Sequence, residues 1–500
     1  MDVLALLAGG FAAVLTPQNL FYCFAGVALG TFIGVLPGLG AMLGIALLLP
    51  LTFHLPPDAA IIMLAGIYYG GEYGGSITAI LVNVPGTPSA AVACLDGNRM
   101  ARQGRGAVAL FASAVASFIG GSIGIVLMTL FSPAIGRFAL SFTSADYFAV
   151  MVLGLIAAAS ITNGSALKAL IAVVFGILAG MVGTDVSTGV QRYAMGFHEL
   201  IGGISLVALA MGLFGLAEVA TARETGAGEG VRYRIGLRDM LPTREDLRRS
   251  ILPIGRGSAV GSLLGVLPAT GATIASYLAY SVEKRISRHP ERFGTGIIEG
   301  VVAPESANNA AAQTGFIPTL AIGIPGSATM ALMLGALMIQ GIPPGPQLMT
   351  RNADLFWALV ASFWIGNLFL LVLNIPLVGL WVRLVHIPYR YLFPVIVCLI
   401  SVGVYSVALS SFDVFVVLAV GILGYLMRIG GFEAAPFLMG FILGPMMEEN
   451  LRRAMQLARG DFGVFLSRPI SATCLALAML ALVVPLVRFL RMKLRGGVPV

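Results

Sequence analysis

Two glutamates stand within long apolar stretches of the chain, where an ionised carboxyl group is costly. Glu72 lies in YYGGEYGGSITA, and Glu305 lies 233 residues later in APESANNAAAQTG, at what we take to be matching places. A carboxylate inside a helical bundle needs a cavity or a partner, so each glutamate is a candidate functional residue. The alternative is a position near a helix end, where the carboxylate pairs with a loop arginine.

Polar side chains crowd the segment that follows Glu305. Hydroxyl and amide oxygens suit a hard cation such as Na⁺, or hydrogen bonds to a polar substrate. Hydrogen bonding between neighbouring helices is the alternative. The candidate binding residues are Glu305, Ser306, Asn308 and Asn309, and Na⁺ is predicted near Asn308 and Asn309.

Proline and glycine interrupt the apolar stretches twice in each half of the chain. The first pair of breaks reads GVLPGLGA (34–41) and GVLPATGA (265–272), and the second pair lies in ILVNVPGTPSA (80–90) and LAIGIPGSATM (320–330). Such breaks expose backbone amides and carbonyls, and a helix that starts after one offers an anion site. Simple helix kinks are the alternative. The candidate residues are Pro37, Gly38, Gly40, Asn83, Pro85, Gly86, Thr87, Ser89, Pro268, Thr270, Gly271, Pro325, Gly326, Ser327 and Thr329.

The breaks belong to an internal repeat. GTFIGVLPGLGA (30–41) matches GSLLGVLPATGA (261–272) at seven of twelve positions, and later matches follow in the same order. The basic loops are exchanged between the halves: residues 51–58 have no Lys or Arg, whereas their counterpart holds Lys284, Arg285, Arg288 and Arg292. Under the positive-inside rule the halves then have opposite orientations. Four arginines in residues 448–468 argue against this arrangement.

Composition sets the class of protein. Of the 500 residues, 58% are hydrophobic and 11% charged, and apolar runs long enough to cross a bilayer recur throughout. We predict an all-α polytopic membrane protein with about twelve transmembrane helices in two inverted repeats. Each repeat would contain a re-entrant hairpin (18–50 and 257–282) and Pro-Gly-broken helices. The predicted domains are a first transmembrane repeat at residues 1–221, a basic cytoplasmic linker at 222–256 and a second transmembrane repeat at 257–500.

Several chemistries lack their motifs. The sequence has no GxxxxGK[ST], no HExxH and no GxSG-type nucleophile, and its four histidines are scattered. The four cysteines show no paired spacing and are predicted to be small core residues. We therefore expect neither an enzyme nor a nucleic-acid-binding protein, and no cofactor or transition-metal site.

The motifs GVLPGLG, ILVNVPGTPSA, LDGNRMARQGRGAVAL, APESANNAAAQTGFIPTLAIGIPGSATMALML and MIQGIPPGPQLM resemble the large membrane subunit of tripartite tricarboxylate transporters, the TctA family. The resemblance covers essentially the whole chain. It implies a multi-pass permease of the bacterial inner membrane, which works with a small four-helix membrane subunit and a periplasmic solute-binding protein. It also implies uptake driven by an ion gradient, with Na⁺ favoured over H⁺ as the coupling ion. The implied substrate is a tricarboxylate or a related carboxylate.

The resemblance leads to a functional expectation: this chain is the transport-pathway subunit of a binding-protein-dependent secondary importer. A stand-alone carboxylate transporter without a binding protein is the alternative. A structural or assembly protein with no transport pathway is a third interpretation, and the duplicated breaks count against it. The second hairpin has Ala269 and Thr270 where the first has Gly38 and Leu39, so the two tips need not bind the same group.

Overall fold

The computed structural model describes residues 3–36, 39–160, 165–185, 187–222, 236–267, 270–384 and 389–494. It is about 81% helical, which confirms the all-α prediction. Pro37, Gly38 and Pro268 lie outside the described residues, so their predicted roles stay predictions.

The helices before residue 223 are α1 Val3–Val14, α2 Pro17–Val35, α3 Gly40–Thr52, α4 Pro57–Val82, α5 Ala93–Met100, α6 Gly106–Ala139, α7 Ser144–Ser160, α8 Ala166–Gly180, α9 Leu206–Ala210 and α10 Ala217–Ala222. Those after residue 235 are α11 Arg244–Val266, α12 Gly271–Ile286, α13 Glu299–Thr314, α14 Phe316–Ala321, α15 Ala328–Ile339, α16 Pro346–Arg351, α17 Ala353–Asn374, α18 Val378–Leu384, α19 Tyr389–Ala408, α20 Ser411–Ile429, α21 Ala434–Leu457, α22 Val464–Ser467 and α23 Pro469–Leu494. Shorter elements are the 3₁₀ turns Pro88–Val92, His198–Leu200, Leu237–Met240 and Pro290–Arg292, the π turns Ala101–Arg105 and Met211–Leu216, and the strands β1 Gly183–Thr184 and β2 Gln191–Arg192.

Apolar helices support a multi-pass membrane protein. In the described part of the chain, four helices are long and apolar enough to cross a bilayer: Pro17–Val35, Pro88–Ala139, Ala353–Asn374 and Ser411–Ile429. Eight further apolar helices have 10–17 residues. The predicted total of about twelve crossings stays a prediction, because several of the shorter helices end at the breaks.

The first break in each half separates two helices that pack against each other. α2 ends at Val35 and α3 begins at Gly40, while α11 ends at Val266 and α12 begins at Gly271. Gly40 and Gly271 have φ of 65° and 58°, a conformation that favours glycine. α3 contacts α2, and α12 contacts α11. This is a helical hairpin in each half, and its entry and exit on one side of a membrane remain a prediction.

The predicted linker is partly helical. Helix α11 begins at Arg244, inside residues 222–256, because the Thr243 hydroxyl accepts the backbone N–H of Asp246 in a capping box. Both carboxylate oxygens of Asp246 accept hydrogen bonds from Arg105 Nη2, each at 2.7 Å. Although burial opposes the charged form, the hydrogen bonds from Arg105 and Thr243 hold the pKa of Asp246 below its ordinary value.

Rows of glycine join the two most extensively packed helix pairs, α2 with α4 and α11 with α13. Each glycine lies on a backbone carbonyl of the partner helix, so that an added Cβ would overlap or crowd the oxygen. In the first half the pairs are Gly26 with Met63, Gly30 with Ile67 and Gly34 with Gly71; in the second they are Gly257 with Ala303, Gly261 with Ala307 and Gly265 with Ala311. The glycines of the two rows are 231 residues apart in the chain, and their carbonyl partners are 240 residues apart.

This packing corrects the expected match between the two glutamates. With an offset of 240 between α4 and α13, the residue equivalent to Glu72 in the second half is Ala312. The residue equivalent to Glu305 in the first half is Ala65. The glutamates are therefore seven residues, about two helical turns, away from equivalent positions. The offset of 233 between the two glutamates is misleading, because the sequences around them have few identical residues. The glycine contacts show directly which positions of the two helix pairs are equivalent.

The described contacts divide the chain into two compact units. Residues 1–137 and 206–425 form the first unit, and residues 138–205 and 426–500 form the second. In the second unit, Gly176 and Gly180 of α8 pack on the carbonyls of Phe437 and Phe441 of α21. These units reflect contacts rather than the repeat, so the predicted boundaries at 221 and 256 stay predictions.

A charged network closes the two-stranded hairpin of the second unit. The Asp185 carboxylate pairs with Arg192, accepts the Ser187 N–H at 2.9 Å and accepts a hydrogen bond from Arg452 at 2.9 Å. Arg192 also donates to Glu448 at 2.9 Å. The hydrogen bond from Arg192 is the main reason that the pKa of Asp185 lies well below its ordinary value.

We expect the hairpin to loosen in acid. Because the folded-state pKa of Asp185 is lowered, its contribution to stability is complete above about pH 4 and is lost as the pH falls toward the lowered value. Amide hydrogen exchange of residues 183–192, corrected for the intrinsic effect of pH, should therefore rise on acidification. Asp185→Asn should exchange quickly at both pH values, and an unchanged pH response in that variant would contradict the assignment.

Candidate functional site

The crossing of α4 and α13, both in the first unit, brings the two glutamates into one cluster. Ser76 of α4 donates a hydrogen bond of 2.7 Å to Glu305 Oε1, and the Asn308 side chain lies beside the Glu72 carboxyl group. Residue numbers rise along α4 from 72 to 76 while their partners fall from 308 to 305. The two contacts are therefore paired in opposite order along the two helices.

Glu72 is held by residues that follow the second break of the first half. It is 6% exposed, and its Oε2 accepts hydrogen bonds from the hydroxyls of Ser89 and Thr87, the latter at 3.5 Å. The oxygens of Thr87 and Ser89 are 2.9 Å apart. One carboxylate oxygen is thus surrounded by hydroxyl groups.

Backbone conformation carries Thr87 and Ser89 back to Glu72. Helix α4 ends at Val82, and the next residue, Asn83, is exposed and adopts a left-handed conformation with φ of 59°. The Gly86 N–H then bonds to the Gly75 carbonyl at 3.2 Å. A Cβ on Gly86 would overlap the Gly34 carbonyl oxygen and lie 2.6 Å from the Gly75 Cα, so only glycine lets the chain return this closely.

Glu305 accepts hydrogen bonds from two further helices. It is 2% exposed, and besides Ser76 on Oε1 it accepts the Ser117 hydroxyl of α6 on Oε2 at 3.3 Å. One residue after Glu72, the Tyr73 hydroxyl donates to Asn367 of α17 at 2.9 Å. The cluster therefore joins α4, α6, α13 and α17, and these elements come from both halves of the chain.

Asn308 has no hydrogen-bond partner for its side chain. It is fully buried, and neither its Oδ1 nor its Nδ2 lies in hydrogen-bonding geometry with any described group, although it faces Glu72. Its neighbours differ, because Asn309 Nδ2 donates to the Glu305 carbonyl at 3.2 Å and Ser306 Oγ donates to the Ala303 carbonyl at 3.0 Å. The Asn308 side chain nevertheless lies close enough to the Glu72 carboxyl group to stabilise its charged form, so the two polar groups belong to one cluster.

Neither buried carboxylate has a basic partner among the described residues. Three guanidinium groups of the first unit pair with other carboxylates: Arg105 with Asp246, Arg249 with Glu299 and Arg256 with Glu283. A buried carboxylate without a counter-ion favours a proton or a hard cation. The described residues contain no group of three His, Cys, Asp or Glu side chains suited to a metal ion.

The remaining predicted residues lie at the breaks. In the first half, the position of a Cβ on Gly40 is 3.5 Å from the Gly86 carbonyl oxygen, and in the second a Cβ on Gly271 is 3.4 Å from the Ser327 Cβ. Ser327 caps α15 by accepting the Met330 N–H at 3.2 Å. Thr270 donates to the Leu267 carbonyl at 2.9 Å. Gly326 is buried like Pro325, whereas Pro85 and Thr329 are half-buried.

The structure thus brings Thr87, Glu305 and Asn308 together with Glu72. It places Gly40 beside Gly86, and Gly271 beside Ser327, as separate contacts at the breaks. Sequence reasoning missed Ser76 and Ser117. Ser76 lies one helical turn after Glu72, so the 3.6-residue helical period places both on one face and could have identified it. Ser117 lies in an ordinary apolar helix, where no such pattern marks it.

Comparisons with known proteins identify the family. The profile described as "Tripartite tricarboxylate transporter TctA family" matches residues 20–439. An uncharacterized 52.8 kDa protein in the TAR-I ttuC′ 3′ region of Agrobacterium vitis is 48% identical over 493 residues, covering 99% of this chain and 98% of that protein.

A second similar protein, an uncharacterized one in the TAR-II ttuC′ 3′ region of the same organism, is 54% identical over 233 residues, covering 47% of this chain and 96% of its own length. No solved structure matches the chain. The profile match spans most of the sequence and the first relative is similar from end to end, so this chain is a multi-pass membrane transporter component that belongs to the tripartite tricarboxylate transporter TctA family.

Proposed function

We propose that this chain forms the transport pathway of a binding-protein-dependent, ion-gradient-driven secondary importer in the bacterial inner membrane. Its substrates are tricarboxylates or related organic carboxylates. The observation that carries the proposal is the buried pair Glu72 and Glu305, joined across the two halves by Ser76 and Asn308, with no basic partner among the described residues. Intramembrane carboxylates of this kind mark ion pathways.

Na⁺ is the coupling ion that fits the cluster best. Carboxylate, hydroxyl and amide oxygens are the ligands of hard cations, and Glu72, Thr87, Ser89 and Asn308 supply all three types. A proton on Glu72 would also neutralise its charge, and the resulting O–H could donate to the Asn308 oxygen, but it would not gather the neighbouring hydroxyl oxygens around one centre as a cation does. Na⁺ would satisfy both groups. H⁺ coupling is the alternative outcome of the tests below.

The breaks support recognition of a carboxylate substrate without a buried Lys or Arg. Helices α3, α12 and α15 begin at or beside them, at Gly40, Gly271 and Ala328. The N–H groups at a helix N-terminus are unpaired within the helix and carry a positive partial charge, so they favour an anion. We assign the substrate to these N-termini and the cation to the glutamate cluster.

Two features support inverted repeats as the basis of alternating access. The glycine rows of α2 with α4 and of α11 with α13 repeat the same packing, and the contacts of α4 with α13 are paired in opposite order along the two helices. A repeated unit whose equivalent helices oppose each other is the arrangement typical of inverted-repeat transporters. The helical hairpins at 18–50 and 257–282 are the re-entrant elements of this proposal.

The proposed assembly includes a small four-helix membrane subunit and a periplasmic solute-binding protein. The word "tripartite" in the family description supports further subunits. The binding protein would select the carboxylate and deliver it to the membrane complex, and no cofactor takes part.

Reconstitution tests this function. The complete complex in proteoliposomes should accumulate a labelled tricarboxylate or dicarboxylate from a test panel when its binding protein and an inward Na⁺ gradient are both present. An equal K⁺ gradient is the control. Uptake that needs no binding protein would favour a stand-alone transporter, and the absence of ion-driven uptake for every carboxylate would contradict the proposal.

A further inference from the structure

The glutamate cluster is closed in this conformation. Glu72, Ser89 and Asn308 are all buried, and the Ser89 and Thr87 hydroxyls lie directly on the Glu72 carboxylate. An ion can reach Glu72 only if part of this wall moves. The helices α4 and α13 are poor candidates for that movement, because their glycine-lined contacts with α2 and α11 are as close as backbones allow.

Thr87 and Ser89 belong to a segment with a hinge at each end. This lid segment, residues 84–103, contains the 3₁₀ turn Pro88–Val92 and helix α5. It follows Asn83, whose φ is 59°, and it precedes Gly104, whose φ is 80° within an otherwise helical run. A Cβ on Gly104 would meet nothing within 4 Å, so its left-handed conformation is not imposed by crowding. Such residues are typical hinge positions.

The far end of the lid segment is tied to the other half of the chain by Asp96. This carboxylate is fully buried and accepts the backbone N–H groups of Gly294, Gly296 and Ile297 at 2.8–3.1 Å. It also accepts the Tyr280 hydroxyl at 2.8 Å.

Glycine shapes the loop that receives Asp96. Gly294 and Gly296 have φ of 86° and 101°, which turns successive N–H groups toward one anion. Nearby, Gln103 Nε2 donates to the Thr295 carbonyl at 2.7 Å. The conformation of loop 293–297 therefore suits it to bind the Asp96 carboxylate of the lid segment.

We propose that Asp96 is a latch: it holds the lid segment closed over Glu72 and must release loop 293–297 before an ion can enter or leave. Ser89 and Asp96 lie seven residues apart on one short helical run, about two turns, so the bonds of Asp96 to loop 293–297 restrain the movement of Ser89 away from Glu72. Hydrogen bonds to a carboxylate exchange readily for water when the two surfaces part, unlike buried apolar area. The latch rests on the proposed ion site at Glu72.

A disulfide in place of the latch tests whether it must open. A Cβ added at Gly300 would lie 3.0 Å from the Asp96 Cβ. The Cβ atoms of a disulfide are about 3.5–4.5 Å apart, so a small shift of the backbone brings two cysteines into range. In a background with Cys23, Cys94, Cys398 and Cys474 replaced by alanine, Asp96→Cys with Gly300→Cys should transport when reduced. Oxidation should abolish uptake, and a reductant should restore it.

The matched control is Asp96→Ser with Gly300→Ser, which has nearly the same shape and no thiols, and which should not respond to oxidant. Undiminished uptake by the crosslinked protein would overturn the proposal, because a static contact would tolerate the bond. Failure of the two cysteines to crosslink would also contradict the closed geometry.

Hydrogen exchange tests the latch without transport. Asp96→Ala removes both acceptor oxygens, so the amides of Gly294, Gly296 and Ile297 should exchange about tenfold faster than in the wild type. Asp239→Asn, which removes a carboxylate from the Gly236 N–H elsewhere, should leave this loop unchanged. Unaltered exchange in Asp96→Ala would refute the latch, whereas an absence of ion-driven uptake in the wild type would refute only the proposed function.

Discussion

Glu72→Gln is expected to abolish the dependence of uptake on the Na⁺ gradient. Glutamine keeps the size and one oxygen of the side chain but removes the charge that a cation would neutralise beside Asn308. Coupling between two ligands of one protein is typically worth about 5–150-fold in affinity, and stimulation by Na⁺ should collapse by a factor of this order. Glu305→Gln should have a comparable effect if both carboxylates serve the pathway.

Two substitutions at Asn308 make this test specific. Asn308→Leu removes the unpartnered amide and should behave like Glu72→Gln, whereas Asn308→Asp keeps an oxygen at the site and should retain Na⁺ dependence. The measurement is initial uptake in proteoliposomes with and without a Na⁺ gradient, together with the thermal midpoint of the purified protein in NaCl and in choline chloride. Binding to the folded state alone raises that midpoint.

Ser258→Ala is a suitable control, because this buried hydroxyl only donates to the Ile254 carbonyl of its own helix. It should leave the Na⁺ response intact. A Glu72→Gln protein with a normal Na⁺ response would remove Glu72 from the ion site. Stabilisation by acid instead of Na⁺ in the wild type would assign the coupling to protons.

Gly261→Ala is expected to destabilise the protein by about 3 kcal/mol, the upper end for overpacking a close contact. Its new methyl group would overlap the Ala307 carbonyl oxygen and lie 2.6 Å from the Ala307 Cα, so α11 and α13 would have to separate. Both are backbone atoms of a helix and cannot rotate away. Because α13 carries Glu305 and Asn308, the same displacement should disturb the cluster.

Gly255→Ala on the same helix is the matched control. Gly255 is exposed and has no neighbour within 4 Å of the added Cβ, so alanine should be neutral or slightly stabilising there. Thermal unfolding in detergent and the recovery of monodisperse protein measure the difference. Equal stability of the two variants would contradict the close packing of α11 on α13.

The sequence also located the breaks without revealing their contacts. Gly40, Gly86, Gly271 and Gly326 were predictable because proline and glycine disturb an apolar helix through local backbone chemistry alone. The carbonyl that each glycine approaches was not predictable, since such contacts join residues tens of positions apart. The offset between α4 and α13 was misjudged for the same reason.

What the sequence determined by itself follows from local rules: hydrophobic runs require membrane helices, the repeated motifs require two related halves, and the unpaired acids require an explanation. What only the tertiary structure decided is the partnership across the halves. Ser76 with Glu305, Asn308 rather than Asn309 beside Glu72, and Asp96 in loop 293–297 all depend on helix crossings and loop conformations. No local pattern encodes these partnerships, because each depends on which distant backbone a helix face or loop meets.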